Sequence, residues 1–582
     1  MNKHIRSAYN YHEATKHSEI SLMTQRQYLD FNNRPIPFKI YTTDFPRYPL
    51  PSDLHRPLLD AITSISDTNP KASDTGKDAK NLSYLGKTSS SPDKILEVDI
   101  KDLAEILFFS AGITRAIKYD STTYYMRAAS ATGALYPIEL YVVCCDIPPD
   151  LRAGVYHFNP ADFSLTQIRD GDYRQQLSAT TADSRSVLES PISLILTSFA
   201  WRNAWKYQSR SYRHWFWDSG VIVANLLATT KAMGLASSLY MGFIDDTVNR
   251  LLCLESHKES AIAIGTISRG ERERTLSNDL LSGQLESAIE IEIPEMSIPN
   301  IRPLSKGDEI DYPEIWTLHE ASKLFSKEEV KEWTNRINYD RKLFVSESNG
   351  NDSSASAPGL LNRQPLLLTN QNQQPNNIPD LADVILRRGS TRKFAMAPVP
   401  LSTLSTILHS STRGIPIDFL QKTDHSLIDI YLISNNIQDL APGGYFFNRK
   451  HRSLDIIKMN VSRQMSGYLC LGQSLFSQAS AVLFLMTDLQ KVLEALGNRG
   501  YRASQFEAGI IAGKIYLAAY AQGIGASGST FFDDAVTEFF SPHAANKSTM
   551  IVVGIGKAAY KSSPGRILPV RMTREELLKM NS

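Results

Sequence analysis

Three features are scarce in this chain of 582 residues: cysteine, net charge and long apolar runs. The four cysteines form no Cys-x-x-Cys pair and have no neighbouring histidine at metal-ligand spacing, so we expect no structural metal site. The 62 lysines and arginines nearly balance the 61 aspartates and glutamates. The resulting net charge of +1 gives no electrostatic reason to expect nucleic acid or an anionic membrane as a partner.

Apolar segments long enough for membrane insertion or export are also missing. No apolar run reaches the roughly 18 residues of a membrane span, and the first residues lack the apolar core of a signal peptide. We therefore expect a cytoplasmic protein. Hydrophobic residues still make up 42% of a chain that exceeds the roughly 250–300 residues at which one core stops growing. Two or more domains are expected.

The most informative feature that is present is an internal repeat. Gly154–Asn159 is echoed by Gly443–Asn448, and the run Arg210-Ser-Tyr-Arg213 by Arg499-Gly-Tyr-Arg502, both at a spacing of 289 residues (154 to 443, 210 to 499). The same spacing pairs Gly220 with Gly509, Gly234 with Gly523, Phe243 with Phe532, and Asp245 with Asp534. Because this period is far above the roughly 20–50 residues of solenoid repeats, each copy is predicted to be a whole domain and the pair a fused dimer.

The repeat divides the chain into three parts. Residues 1–285 form the first copy, residues 286–378 a connector, and residues 379–582 the second copy. Within the connector, residues 318–335 have helical spacing, and residues 346–378 are so polar that we predict a disordered linker. Helical runs such as 102–110 and 218–233 alternate with strand runs such as 138–145 and 261–267. The fold class predicted is α+β, a sheet covered by helices in each copy, with the two copies as an intrachain pseudo-dimer.

A phosphate-binding sequence occurs only in the second copy. The run Arg387-Arg388-Gly389-Ser390-Thr391-Arg392 follows a predicted helix that begins near residue 380. Two guanidinium groups four residues apart, Arg388 and Arg392, with the Ser390 hydroxyl between them can hold a dianionic phosphate. The alternative is that these basic residues only complement the dipole at a helix C-terminus.

Two later segments of the second copy belong to the same pattern. The glycine-rich run 523–528 contains Gly525, Ala526 and Ser527 and reads as a turn whose backbone N–H groups can approach a planar ring, or as a plain helix stop. After a predicted strand at 550–553, three basic residues can add cations to the same phosphate, or lie on the solvated surface: Lys557, Lys561 and Arg566.

In this order, these segments resemble the FMN-dependent nitroreductase superfamily. Its phosphate grip reads Arg-x-Ser-x-Lys/Arg-x-Phe, which Arg388, Ser390, Arg392 and Phe394 match. The resemblance implies FMN as the cofactor, with its phosphate on this grip and its ring near residues 525–527.

The first copy resembles the SagB/ThcOx group of that superfamily, dehydrogenases that oxidise azolines to azoles in ribosomally made peptides. The resemblance is carried by the run Tyr-His-Glu-Ala-Thr-Lys at 11–16, by Gly-Ala-Leu-Tyr-Pro at 133–137 and by Lys206-Tyr207. It implies that a loop of the first copy covers the flavin through Ser130, Thr132, Gly133, Ala134 and Leu135. The family usually has Pro-Ser-Ala before the Gly-Ala-Leu-Tyr-Pro string, whereas this chain has Ser130-Ala131-Thr132, so which hydroxyl meets the flavin stays open.

Each copy has lost what the other keeps. The first copy has Gly-Lys-Thr-Ser-Ser at 86–90 in place of the arginines, and the second has residues 421–426 in place of Gly-Ala-Leu-Tyr-Pro and Ala495-Leu496 in place of Lys206-Tyr207. In dimers of the superfamily each flavin takes its phosphate grip from one subunit and the covering loop from the other. The sequence therefore predicts one complete composite site, the alternative being scattered drift in an inactive enzyme.

The resemblance implies a two-electron dehydrogenation. Tyr207 is the candidate base, and Lys206 its activator, because a nearby ammonium lowers the pKa of a tyrosine. Arg392 would stabilise negative charge on the reduced flavin. Dioxygen is the expected electron acceptor, since no separate dinucleotide-binding Gly-x-Gly-x-x-Gly fold is visible.

Two other functions stay open at the level of sequence. One is a nicotinamide-driven nitro or quinone reductase, and the other is a non-catalytic scaffold for a cyclodehydratase partner. In the preferred interpretation the substrate is a peptide or a peptide-derived small molecule, and a cyclodehydratase is the expected partner.

Overall fold

The computed structural model describes residues 2–24, 28–66, 98–119, 122–269, 292–339, 361, 365–368, 378–420 and 425–580. The degenerate run 86–90 and residues 421–424 lie outside the described residues, as does most of the predicted linker 346–378. In the part of the chain that is described, no helix is both long and apolar enough to cross a membrane.

The first copy is built on a seven-stranded antiparallel sheet with strand order β1-β6-β5-β4-β7-β9-β8, beside which β2 and β3 form a separate hairpin. Its strands are β1 (Arg47–Pro49), β2 (Ile113–Tyr119), β3 (Thr122–Arg127), β4 (Ile138–Cys144), β5 (Gly154–Asn159), β6 (Ser164–Asp170), β7 (Ile192–Phe199), β8 (Ala236–Tyr240) and β9 (Glu259–Ser268). Its helices are α1 (Arg6–Ala14), α2 (Glu19–Thr24), α3 (Ala61–Ile65), α4 (Ile100–Ala111), α5 (Arg174–Thr180), α6 (Arg185–Glu189), α7 (Ala200–Tyr207), α8 (Ser211–Ala232) and α9 (Asp245–Leu251).

The second copy repeats this sheet in the order β10-β13-β12-β11-β14-β16-β15. It is preceded by α10 (Pro313–Ala321) and α11 (Lys327–Tyr339). Its strands are β10 (Leu366–Leu367), β11 (Asp429–Ser434), β12 (Gly443–Asn448), β13 (Ser453–Met459), β14 (Ala481–Thr487), β15 (Gly525–Ser529) and β16 (Ser548–Gly556). Its helices are α12 (Leu381–Arg387), α13 (Leu401–Ser411), α14 (Arg463–Leu469), α15 (Ser474–Gln478), α16 (Leu489–Leu496), α17 (Arg499–Ala521), α18 (Asp533–Phe540) and α19 (Arg574–Lys579). Two sheets flanked by helices confirm the predicted α+β class.

The long helices α8 and α17 pack against each other at the centre of the molecule. A methyl group added at Gly220 would lie 2.6 Å from the backbone of Gly509, and one added at Gly509 would lie 2.7 Å from the backbone of Phe216. The two glycines are repeat partners, so the backbones approach most closely where both copies lack a side chain. The contact joins the copies as an intrachain pseudo-dimer.

Buried ion pairs cross this interface in both directions. Arg499 and Arg502 of the second copy contact the carboxylate of Asp245 in the first, at 2.6 and 2.7 Å. Arg210 and Arg213 of the first copy contact Asp533 in the second, at 3.1 and 2.8 Å. All of these side chains are buried. The arginine pair of each copy is therefore neutralised by one aspartate of the other copy.

This reciprocity corrects the alignment of the repeat by one residue. The partner of Asp245 is Asp533, the first residue of α18, and not Asp534 as the spacing of 289 predicted. The guanidinium of Arg499 lies over Phe243 and that of Arg210 over Phe531, so Phe243 corresponds to Phe531 and not to Phe532. The loop before α18 is shorter by one residue than the loop before α9.

The repeat also extends into segments that the sequence analysis left outside it. The run His-Glu-Ala-Thr-Lys at 12–16 recurs as His-Glu-Ala-Ser-Lys at 319–323. The Thr15 hydroxyl accepts hydrogen bonds from Arg213, and the Ser322 hydroxyl accepts one from Arg502. Helix α10 thus occupies for the second copy the place that α1 occupies for the first, although it lies within the predicted connector.

Two predictions for the connector and one for the central helix were wrong in detail. The helical run 318–335 is two helices, α10 and α11, and Pro313 stands at the start of α10. Within the predicted linker, Leu366–Leu367 adds an edge strand to β13, and Leu368 is buried. Helix α8 begins at Ser211, well before the predicted residue 218, because its aromatic first turns pack against α1 and α10.

Because the central helices cross with no room for a side chain, Gly220→Ala is expected to destabilise the protein by about 1–3 kcal/mol through overpacking. Thermal denaturation measures the loss. The matched control is Gly265→Ala, since a methyl group in that buried strand would meet its nearest neighbours at an ordinary 3.4 Å. Equal melting temperatures for both variants would contradict the close crossing.

Candidate active site between the two copies

The predicted phosphate-binding run of the second copy, residues 387–392, lies along the edge strand β15. Ser390 pairs with Ala526 as a β-bridge, and the Thr391 N–H donates to the Ala526 carbonyl at 2.9 Å. The Ser390 hydroxyl lies 3.4 Å from the phenol oxygen of Tyr516 on α17. The structure thus brings Ser390 beside Gly525, Ala526 and Ser527. The predicted glycine-rich turn is the strand Gly525–Ser529 instead, and only Gly523 has a left-handed φ, of 73°.

The C-terminal segment runs beside the same residues. The Ala395 N–H donates to the Lys557 carbonyl at 2.8 Å, and the Arg392 N–H donates to the Tyr560 hydroxyl at 2.9 Å. Lys561 follows Tyr560 directly, and both lysines and Arg392 are exposed. The three predicted cations Arg392, Lys557 and Lys561 therefore belong to one surface.

Arg566 lies further along this segment, where the two copies meet. Its N–H donates to the carbonyl of Thr114 on the β2–β3 hairpin at 3.0 Å, while its side chain is exposed. The hairpin of the first copy therefore borders the phosphate-binding run of the second.

Arg388 and Arg115 exchange hydrogen bonds across the same boundary. The buried guanidinium of Arg388 donates to the carbonyls of Ala128 at 2.9 Å and Arg127 at 3.0 Å. In return, Arg115 of the first copy donates to the carbonyls of Leu386 and Arg388, each at 2.9 Å. Arg388 is the first residue of the Arg-x-Ser-x-Arg-x-Phe sequence, and in this structure it also connects the two copies.

The covering loop of the first copy turns sharply at residues 132–134. Gly133 has a φ of 64°, and Ala134 and Tyr136 also have left-handed φ values, of 54° and 49°. A methyl group added at Gly133 would lie 2.8 Å from the phenol oxygen of Tyr207. The backbone of this loop is thus in contact with the Lys206-Tyr207 segment.

The hydroxyl groups of this loop have different environments. The Thr132 hydroxyl donates to the carboxylate of Asp218 on α8 at 2.7 Å. Ser130 lines a small cavity together with Arg127, Tyr136 and Asp218. Leu135 is buried, whereas Gly133 is exposed. Ser130 is therefore the loop hydroxyl that faces a cavity, while that of Thr132 is engaged by Asp218.

The electrostatics of Lys206 and Tyr207 differ from the sequence expectation. Burial and the charge of Asp218 raise the pKa of Tyr207, and Arg392 opposes that rise. The pKa of Lys206 is lowered, first by burial and then by Arg34 and Arg392. The Lys206 ammonium lies 5.3 Å from the centre of the Tyr207 ring, over its face. The pKa of Tyr207 is thus raised and not lowered as expected, because desolvation of the phenol and the charge of Asp218 outweigh the guanidinium of Arg392.

Arg392 connects the two halves of the site. It belongs to the second copy, yet its charge acts on both Lys206 and Tyr207 of the first. In the described part of the chain no carboxylate forms an ion pair with Arg392 or Lys206. Through Arg392, the second copy therefore comes close to the covering loop and the Lys206-Tyr207 segment of the first, at the boundary between the copies.

The corresponding position between the copies on the other side is filled by protein. Asp418 of the second copy accepts hydrogen bonds from the backbone N–H groups of Met241 at 3.0 Å and Gly242 at 2.7 Å. The Leu239 N–H donates to the Pro416 carbonyl at 2.8 Å. Strand β8, the repeat counterpart of β15, is therefore covered by residues 415–418.

Trp333 of α11 completes this filling. Its indole N–H donates to the carbonyl of Leu496, the repeat counterpart of Tyr207, at 2.9 Å. Its ring packs against Phe419, with the ring centres 6.2 Å apart, and a methyl group added at Gly242 would lie 3.1 Å from it. Trp333 is almost completely buried. Among the described residues, Trp333 and residues 415–419 therefore occupy the position between the copies that corresponds to the Lys206-Tyr207 side.

Sequence reasoning missed two residues that shape these sites. Asp218 was visible as an acid within the apolar α8, and its repeat partner Glu507 is also acidic. Trp333 gave no comparable signal, because nothing in its neighbourhood resembles the repeat.

The molecule is thus a pseudo-dimer of two helix-flanked antiparallel sheets. The Nitroreductase family model matches residues 91–267 and 385–557, together more than half of the chain. The chain belongs to the Nitroreductase family, an oxidoreductase family, and carries its domain twice.

Individual relatives agree with this assignment. The chain is 30% identical over 181 residues to the trifolitoxin-processing protein TfxB of Rhizobium leguminosarum bv. trifolii, a match that covers 30% of this chain and 48% of TfxB. It is 27% identical over 165 residues to a protein of Methanocaldococcus jannaschii named as a nitroreductase, covering 27% of this chain and 82% of that protein. The chain thus spans about half the length of the first of these relatives.

A solved structure shows the same fold over almost the whole chain. It is that of an Anabaena variabilis protein named as a nitroreductase, with a TM-score of 0.66 and 23% identity. The superposition covers 95% of this chain and 99% of the other.

Since Trp333 fills the second cleft, Trp333→Ala is expected to cost about 3–5 kcal/mol of stability through the cavity it leaves. The cofactor content of the side that contains Lys206 and Tyr207 should not change, because Trp333 lies on the other side. The control is Phe325→Ala, at a residue 45% exposed, which should leave the melting temperature nearly unaltered. A fall in cofactor content for Trp333→Ala at temperatures where it stays folded would contradict the separation of the two clefts.

Proposed function

We propose that this protein is an FMN-dependent dehydrogenase of the SagB/ThcOx type that oxidises an azoline, or a similar bond, in a peptide-derived substrate. The proposal is supported by the closeness of Arg392 of the second copy to Lys206 and Tyr207 of the first. At the corresponding position on the other side, Asp418 and Trp333 occupy the backbone groups instead.

The residues of the cleft fit FMN. A phosphate of about −2 charge needs paired cations and hydroxyl donors, which Arg388, Ser390 and Arg392 supply, with Lys557, Lys561 and Arg566 along the neighbouring segment. Gly525 has no side chain, and a methyl group there would collide with the Thr391 hydroxyl, so this glycine lets the residues around Ser390 pack closely against β15. When bound, FMN supplies the two-electron redox chemistry.

Lys206 is the better proton acceptor of the pair. Burial and neighbouring guanidinium groups lower the pKa of Lys206, which favours the neutral amine that a general base requires. Tyr207 has a raised pKa and stays a neutral phenol, so it donates a hydrogen bond to the substrate or the cofactor. The roles are thus reversed relative to the sequence expectation, with Lys206 removing the proton and Tyr207 orienting.

The relatives support a peptide-derived substrate. TfxB is named as a trifolitoxin-processing protein, and the motifs at 133–137 and 206–207 are those of dehydrogenases that act on modified peptides. A cyclodehydratase that forms the azoline is the partner that this chemistry requires upstream, and dioxygen is the proposed electron acceptor.

The first test is the cofactor stoichiometry. Flavin absorbance per chain is expected to give one FMN and not two, because one cleft is filled. Arg388→Ala combined with Arg392→Ala should yield apo-protein, since both paired cations are removed. Arg387→Ala is the matched control, because this exposed neighbour pairs with Asp383 instead. A ratio near two in the wild type would contradict the single-site proposal.

The second test addresses the proton transfer. Lys206→Met and Tyr207→Phe are expected to retain FMN, and turnover of a synthetic thiazoline peptide should fall by about 100-fold or more, the typical contribution of a positioned acid or base. Because Lys206 acts as the neutral amine, the wild-type rate should rise with pH through its lowered pKa, and this rise should be absent in Lys206→Met.

Ala495→Ser, at the counterpart of Lys206 in the other copy, should keep wild-type turnover and its pH dependence. Rapid NADPH-driven nitroarene reduction without thiazoline oxidation would instead identify a reductase.

A further inference from the structure

Asp218 is a buried carboxylate that faces the covering loop from the middle of α8. Its Oδ1 accepts hydrogen bonds from both the N–H of Thr132 at 2.8 Å and the hydroxyl of Thr132 at 2.7 Å. Its Oδ2 accepts a weaker one from the Asn203 amide at 3.4 Å. Among the described residues no lysine or arginine forms an ion pair with it. Such an unpaired buried acid is costly and points to a specific role.

The turn that Asp218 holds is strained. Gly133, Ala134 and Tyr136 all have left-handed φ values, and only glycine adopts these without a steric cost. Backbone strain of this kind persists only when surrounding groups enforce it. The two hydrogen bonds from Thr132 fix the first residue of the turn. They thereby place Gly133 against the Tyr207 phenol.

The second copy contains an equivalent loop-anchoring carboxylate, but among the described residues no tyrosine lies beside it. Glu507, the repeat partner of Asp218, accepts hydrogen bonds from the Ser426 hydroxyl and from the Leu427 N–H, the latter at 2.9 Å. Burial raises the pKa of both carboxyls to about 7. At the counterpart of Tyr207, however, the second copy has Leu496. A loop-anchoring carboxylate is thus common to both copies, but only Asp218 lies beside a titratable side chain of the site.

We propose that Asp218 is a positioning residue of the composite site, which holds the 132–134 turn against Tyr207 and by its negative charge favours the neutral phenol. The inference rests on the proposed function in taking Tyr207 as a hydrogen-bond donor. The charge of Asp218 is the first cause after burial of the raised pKa of Tyr207.

Other titratable groups around Asp218 do not provide the same effect. Arg127 and Tyr136 lie across the small cavity, and the buried pKa of Arg127 is lowered to about 10, so it stays cationic at neutral pH. His214, one turn earlier on α8, packs edge-on against Tyr207, and burial lowers its pKa so far that it stays neutral. Asp218, whose pKa of about 7 leaves it fully ionised at the high pH where the phenol titrates, is thus the anion beside the phenol.

The test places 3-fluorotyrosine at position 207 of the full chain and follows its ¹⁹F resonance with pH. The expected result is that the phenol ionises at a lower pH in Asp218→Asn than in the wild type, by about one pH unit or more. Glu507→Gln is the matched control and should leave the midpoint unchanged. This readout needs no substrate, so it stands or falls separately from the azoline dehydrogenase proposal. An unchanged midpoint in Asp218→Asn would overturn the inference.

A second variant separates positioning from charge. Thr132→Val removes the hydroxyl donor but keeps the carboxylate, so the ionisation midpoint of residue 207 should stay raised. The dissociation constant of FMN should rise several-fold because the turn is held by one bond fewer, while Glu507→Gln should bind FMN as the wild type does. Wild-type FMN affinity in both Thr132→Val and Asp218→Asn would show that the turn needs no anchor and would overturn the positioning role.

Discussion

The whole molecule depends on the crossing of α8 and α17, where two glycines let the backbones touch and two buried carboxylates each receive a pair of arginines from the opposite copy. Removing one member of a buried ion pair costs about 3–5 kcal/mol, because the remaining charge is left without compensation. Separating the copies would therefore break all four arginine–aspartate contacts and expose the apolar surfaces of α8 and α17 to water. Fusion into one chain makes that association independent of concentration.

The two copies meet at two equivalent positions beside this crossing, and different residues occupy them. An interface with twofold pseudo-symmetry builds every site twice from complementary halves. In one cleft, Arg388 and Arg115 exchange hydrogen bonds with the backbone of the opposite copy, and Arg392 acts on Lys206 and Tyr207. In the other, Asp418 and Trp333 occupy the backbone donors and the space. The position that Asp418 and Trp333 occupy is thus a structural contact between the copies.

Burial controls the chemistry available in the remaining cleft. Desolvation raises the pKa of Tyr207 and lowers that of Lys206, which moves both groups toward their neutral forms. An amine that is less basic than usual thus lies beside a phenol that is harder to ionise. Asp218 adds to the rise in the phenol pKa.

The sequence by itself determined the repeat, the α+β class, the family and the division of motifs between the copies, because spacing and residue type are preserved where backbone geometry and ligand chemistry require them. The equivalence of residues 12–16 with 319–323 was also readable from the sequence. Only the tertiary structure decided the direction of the pKa shift at Tyr207, the anchoring of Thr132 by Asp218 and the filling of the second cleft by Trp333. Those depend on desolvation and on contacts between residues far apart in the chain, and no local pattern encodes either.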